Sequence, residues 1–201
     1  RLRKHSDYLE VHSPVSKKSG LFFYGSTDLT RPEIVRHSRR LLERFNPPEK
    51  ARILLLLPQT RTKPFHKSKE HDRVLKEMEQ NLGDNRELIH ICTYAGPFGV
   101  IPVELDEVYP LSQHEVALPF DTETIQYVAE QIQSYITANN YRKVILLDDA
   151  ETWENKIASV CKRVCRKWKI PLTVLKATRP WNKTAQSSLI EAMQRAAGEL
   201  T

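Results

Sequence analysis

Five consecutive apolar residues, Ile53 to Leu57, stand between the basic pair Lys50 and Arg52 and the ring of Pro58. Successive strand side chains point to opposite faces, so a strand without polar alternation needs apolar cover on both sides. Ile53–Leu57 therefore reads as the central strand of a sheet with helices on both faces. Val144–Leu147 has the same character and ends on Asp148 and Asp149.

The segments around these two strands alternate between strand and helix patterns. Leu21–Tyr24 reads as a strand. Thr30 is the expected cap of the next helix, with Glu33 completing a capping box and Pro32 in the first turn. Ile34, Ser38, Leu41, Leu42 and Phe45 form its apolar stripe, ended by Pro47 and Pro48. A helix over Lys69–Leu82, closed by Gly83, precedes a strand Leu88–Tyr94. Gly96–Pro119 holds four prolines and two glycines and reads as a long ordered loop, with a short strand at Glu115–Leu118. Asp121 caps a helix that buries Ile125, Val128, Ala129, Ile132 and Ile136. A helix from Thr152 carries Trp153, Ile157, Val160, Val164 and Trp168 on one stripe, with Cys161 and Cys165 beside them. A strand Leu172–Leu175 and a helix Thr184–Leu200 close the order. Such alternation implies right-handed crossovers and an α/β fold, a three-layer α/β/α sandwich with a mainly parallel central sheet. Residues 1–50 are expected to form an N-terminal appendage of strand plus helix, with a short apolar pattern at Tyr8–Val11, and 51–201 the core domain. In such sheets ligands bind beyond the carboxyl ends of the strands, so the segments after Pro58, Tyr94 and Asp148 should converge.

At 201 residues the chain suits one ordinary core. The first residue, Arg1, suggests a piece of a longer polypeptide. With 40% apolar and 28% charged residues it reads as globular. It lacks an apolar run near the roughly 18 to 20 residues of a membrane span, so no membrane is expected and the location reads as cytoplasmic. Three cysteines, Cys92, Cys161 and Cys165, are too few for a disulfide framework and lack metal-ligand spacing. No metal and no cofactor are expected. A net charge of +6 favours a polyanionic partner.

The densest chemistry lies in the fourteen residues Pro58–His71, which contain Arg61, Lys63, Lys67 and Lys69, two histidines and several hydroxyls. If its second half opens the next helix, unpaired backbone N–H groups add to the positive potential. The loop suits a phosphate or other anion, and equally a solvated basic turn.

The spacing within it resembles a known motif. Pro58 and Gln59, then Lys63, Pro64 and Phe65, then Ser68, then His71 match the pattern Pro-Cys, three residues, Lys-Pro-Tyr, two residues, Ser, two residues, His of the archaeosine synthase family, in the domain preceding its PUA module. Phe22–Tyr24 with Arg31–Val35, and Gly99–Pro102 with Glu104, Tyr109, Pro110 and His114, resemble the same family, so the likeness covers roughly 8–200. Gln59 stands where the family has cysteine, and Phe65 where it has tyrosine. The resemblance implies a fold similar to uracil-DNA glycosylases. It also implies action on tRNA carrying 7-cyano-7-deazaguanine, whose nitrile accepts an amine from lysine, the preferred donor, or from another amine donor. A PUA-containing or radical-enzyme partner subunit is implied as well.

Amine addition to a nitrile needs a neutral nucleophile and stabilisation of the developing nitrogen anion. His71 is the expected proton carrier and Lys63 the anion stabiliser, with Ser68 either a donor or a helix cap. Glu104 or Asp148 would hold a donor ammonium. Pro58, Gln59, Arg61, Pro64, Phe65 and His114 are expected to line the substrate, with Lys67 and Lys69 against RNA; Trp181 reads as a loop tryptophan, exposed or half-packed, with stacking on a base the less common alternative. Glutamine cannot replace cysteine as a nucleophile. A non-catalytic tRNA-binding or assembly subunit therefore stays open beside the enzyme, and a glycosylase-like hydrolase stays behind both.

Overall fold

The structure, a computed structural model, describes residues 21–176 and 183–200. Tyr8–Val11 and Trp181 lie outside the described residues. In chain order the elements are β1 (Phe22–Phe23), α1 (Pro32–Glu43), β2 (Ile53–Pro58), α2 (Lys69–Leu82), β3 (Ile89–Ala95), β4 (Gly99–Pro102), β5 (Glu115–Val116), α3 (Thr122–Ala138), β6 (Lys143–Asp148), α4 (Lys156–Trp168), β7 (Leu172–Lys176) and α5 (Lys183–Gly198).

Five strands form the main sheet in the order β4-β3-β2-β6-β7, all parallel except β4, which runs antiparallel to β3. Every residue of β2 is buried, as the unalternating run demands. Leu54 and Leu56 join α3 and α4 on one face, while Ile53, Leu55 and Leu57 join α2 and α5 on the other. This is the α/β/α layering expected from the sequence. A third apolar cluster sits beyond the end of β3, where Phe23, Ile34, Phe65, Ala95, Phe98 and Leu111 meet. Segment 21–50 is part of this packing: β1 pairs with β5, and α1 packs on α3.

Several local expectations change. Thr30 ends a 3-10 turn, and α1 is capped by Arg31 without a side-chain bond. Leu42 is exposed, while His37 occupies the buried stripe and its Nε2 pairs with the Val100 carbonyl at 2.8 Å. The stretch 96–119 is not all loop: Gly99, with φ +82 and Gln131 packed where a Cβ would stand, lets β4 turn back on β3. α4 starts at Lys156 rather than Thr152, because 149–155 form turns with Glu154 and Asn155 at positive φ. Trp153 is wholly buried ahead of the helix, but Trp168, placed on the buried stripe by its spacing, is 55% exposed. No described helix is long and apolar enough to cross a membrane.

Candidate functional site

From β2 the chain passes through α2 to β3 on one side. It later reaches β6 on the other side of β2 and continues through α4 to β7. The helices after β2 and β6 lie on opposite faces, so the loops leaving these adjacent strands diverge at their carboxyl ends, the switch point where a ligand crevice is expected in such sheets. The predicted convergence occurs there. Gln59 N–H donates to the Tyr94 carbonyl at 3.1 Å, and the Gln59 side-chain oxygen accepts from Gly96 N–H at 3.0 Å. The buried Tyr94 hydroxyl donates to the Leu147 carbonyl at 2.8 Å and accepts from Asp149 N–H at 3.0 Å, tying β3 to β6 past the end of β2.

Asp148 is the exceptional group. It is fully buried on the last position of β6, and neither carboxylate oxygen has a hydrogen-bond partner. Burial raises its pKa, opposed by the Lys176 charge. The indole Nε1 of the neighbouring Trp153 turn is also buried and unpartnered. A carboxylate left this way has high affinity for a cation or a proton.

The basic loop is anchored at several points. Ser68 is fully buried and caps α2 by accepting the His71 N–H at 3.2 Å. The His71 ring is buried, which lowers its pKa to about 4, and its Nε2 donates to the Pro58 carbonyl at 3.2 Å. The sequence suggested His71 as a proton carrier; in the fold that nitrogen holds the loop to the strand end, and burial keeps the ring neutral near pH 7. Pro64 leads into the buried Phe65 ring, over which the Lys63 ammonium lies at 5.8 Å. Lys63 is half-buried, and desolvation lowers its pKa against the opposing pull of Glu115. Next to it, His114 stacks edgewise on Phe98 at 4.7 Å and on Phe65 at 6.2 Å. Its Nδ1 donates to the Leu111 carbonyl at 3.0 Å, leaving a buried Nε2 without a partner. Burial and the Lys63 charge lower its pKa to about 3.

Other expected residues fall elsewhere. Glu104 is not at the crevice. It pairs with His90 Nε2 at 3.1 Å near the amino end of β3, because antiparallel β4 carries the chain back down the sheet. It lines a groove of ≈ 490 Å³ with Leu75, Met78, Arg86, Ile89 and Ile91. Lys67 forms an ion pair with Glu107 at 2.7 Å, while Arg61 and Lys69 are exposed. Among residues the spacing did not reveal, Asp106 is buried and accepts from His66 N–H at 2.9 Å and from its ring at 2.8 Å. Its signal was only a carboxylate in a proline-rich segment.

Three comparisons bear on this geometry. An archaeosine synthase subunit alpha from Methanosarcina acetivorans is 31% identical over 162 residues, covering 80% of this chain and 24% of that protein. A tRNA-guanine(15) transglycosylase from Methanobrevibacter smithii is 36% identical over 139 residues, covering 68% of this chain and 20% of that protein. The chain thus spans a quarter or less of the length of these curated relatives. The crystal structure of AF0587, a protein of unknown function, superposes with a TM-score of 0.57 at 18% identity over 78% of this chain and 49% of that one, a likeness of fold. The likeness to archaeosine synthases read from the loop is matched by these relatives, and with residues 34–195 fitting its pattern the chain belongs to the family described as Domain of unknown function (DUF5591).

Proposed function

We propose that this domain serves archaeosine formation in tRNA, with the crevice between β2 and β6 receiving the 7-cyano-7-deazaguanine base and an amine donor, lysine by preference. The observation that carries this reading is Asp148, a buried carboxylate without a partner at the carboxyl end of β6. A substrate ammonium supplies the charge it lacks, and its raised pKa suits it to take a proton from that ammonium. The freed nitrogen attacks the nitrile carbon, one C–N π bond opens onto the nitrile nitrogen, and the proton returns there. The product is a substituted amidine, with no leaving group and no oxidant. Lys63, held against Phe65, is the cation that stabilises the developing nitrogen anion. The names of the relatives support a part in archaeosine formation, and a fold similar to uracil-DNA glycosylases belongs to the same reading.

A second reading has its own support. The Gln59 side-chain oxygen is committed to the β3–β4 turn, and Cys92, Cys161 and Cys165 are all buried away from the loop. A non-catalytic tRNA-binding or assembly subunit, working with a PUA-containing or radical-enzyme partner, fits a site without a nucleophilic thiol. To separate the two, the protein is incubated with tRNA bearing the cyano base and isotope-labelled lysine, and the nucleosides are weighed by mass spectrometry. The enzyme reading expects a labelled adduct, slowed roughly a hundredfold or more in Asp148→Asn. Intact tRNA binding without any adduct overturns it and leaves the assembly role.

A further inference from the structure

From Asn155 to Ile190 the sequence holds nine Lys and Arg and no Asp or Glu, so this stretch alone exceeds the net charge of +6 of the whole chain. Its described part is α4, β7 and the start of α5. The helix turns Ile157, Val160, Cys161, Val164 and Cys165 into the core, which places Lys162, Arg163, Arg166 and Lys167 together on its outer face. Lys162 and Arg166, Arg163 and Arg166, and Arg163 and Lys167 stand at helical spacings where like charges repel.

Several cations elsewhere on the surface are paired with acids: Lys50 with Glu87 at 2.5 Å, Lys76 with Asp72 at 2.6 Å, Arg86 with Glu79 at 3.3 Å. Among the described residues, none of the seven cations from Lys156 to Lys176 forms an ion pair. Their side-chain bonds go to neutral groups, Arg163 to Gln133 at 2.9 Å and Lys176 to Asn155 at 3.3 Å. The helix dipole favours Arg166 and Lys167 in the last turn, but the first turn, where it favours acids, has none and begins with Lys156. The dipole therefore accounts for only one end of the face. At that end Trp168 is 55% exposed between Lys167 and Lys169.

We infer that the outer face of α4 is a polynucleotide-docking surface, on which Lys162, Arg163, Arg166 and Lys167 take backbone phosphates and Trp168 stacks on an unpaired base. Lys162 to Lys167 span about 8 Å of a helix about 20 Å long, whereas the apolar side of the helix is spent on the sheet and cannot enter a membrane. Trp168 is the single large apolar residue exposed on it, too little for a hydrophobic protein interface. α4 starts after the turns 149–155 that follow β6, and the Lys162 and Lys176 charges act on Asp148 at the end of that strand. A strand laid along α4 therefore reaches the crevice. Only the identity of the polynucleotide as tRNA rests on the proposed function.

The test is fluorescence anisotropy of labelled, unmodified tRNA transcript, without any amine donor, titrated at several salt concentrations. The variant combines Lys162→Ala, Arg163→Ala, Arg166→Ala and Lys167→Ala. Its charge-matched control combines Lys50→Ala, Lys76→Ala, Arg86→Ala and Arg195→Ala, and circular dichroism verifies that both fold. We expect the α4 variant to bind at least about tenfold more weakly, with a log–log salt slope smaller by roughly three, while the control stays close to wild type. Trp168→Ala should lose roughly fivefold or more and Trp168→Phe recover most of it. Equal losses in variant and control overturn the inference, as does full binding by the α4 variant. The milder Lys162→Gln, Arg166→Gln double variant reads the same slope change if the fourfold one misfolds. Because no chemistry is measured, failure of the nitrile reaction leaves this result untouched.

Discussion

Asp106 carries a disproportionate share of the loop's order. Its buried carboxylate receives the backbone N–H and the ring of His66, so one side chain ties the middle of Pro58–His71 to the segment after β4. Truncating it leaves the part-buried His66 N–H without this acceptor. Asp106→Ala should therefore cost about 1 to 3 kcal/mol in urea denaturation, and Asp106→Asn less, because the amide oxygen still accepts one bond. An unchanged midpoint in the alanine variant would place the loop's anchorage elsewhere. Gln59 shows the same economy: as a motif position it suggested chemistry, and in the fold its oxygen holds the Gly96 N–H.

At the scale of elements, α2 begins where the sequence says it should because Ser68 offers its hydroxyl to the His71 N–H and Gly83, at φ +51, ends the helix. Ser68→Ala should destabilise the protein by about 1 kcal/mol, read from the thermal or urea midpoint, with Ser68→Asp closer to wild type. Starts of this kind are legible because the cap is a local bond between near neighbours. Thr30 failed as a cap because Asp28 instead accepts the Tyr24 N–H at 2.6 Å and its carbonyl the Arg31 N–H at 2.9 Å, winding the residues ahead of α1 into a 3-10 turn. β4 was hidden for a different reason. Its four residues pair only with β3, and their burial comes from α3, contacts that leave little periodicity in the chain itself.

Across the whole molecule, four buried histidines set opposing dependences on pH. His37, His71 and His114 are held neutral by burial, with pKa values lowered to about 4, about 4 and about 3. The unfolded chain protonates them from about 6.5 downward, so their contribution is present above that pH and lost as pH falls towards 4, at up to about 1.4 kcal/mol per unit for each. His90 behaves oppositely. Burial alone would lower it, but the Cys92 sulfur and the Glu104 carboxylate beside its ring raise it to about 10. Its contribution is complete below about 6.5 and disappears as pH rises through 10. Urea midpoints should therefore peak near neutrality and fall on both sides, with Glu104→Gln flattening the alkaline limb. A midpoint constant from about pH 5 to 10 would contradict both assignments. The sequence by itself determined the layers, since the unbroken apolar runs of β2 and β6 demand helices on both faces, and it drew attention to the loop between β2 and α2 because that loop follows one of these strands directly in the chain. Only the tertiary structure decided which polar groups work there. It took Glu104 down the sheet, turned His71 inward as a tether, left Asp148 unpaired at the strand end and set Trp168 outside, because each of those outcomes depends on contacts between residues distant in the chain.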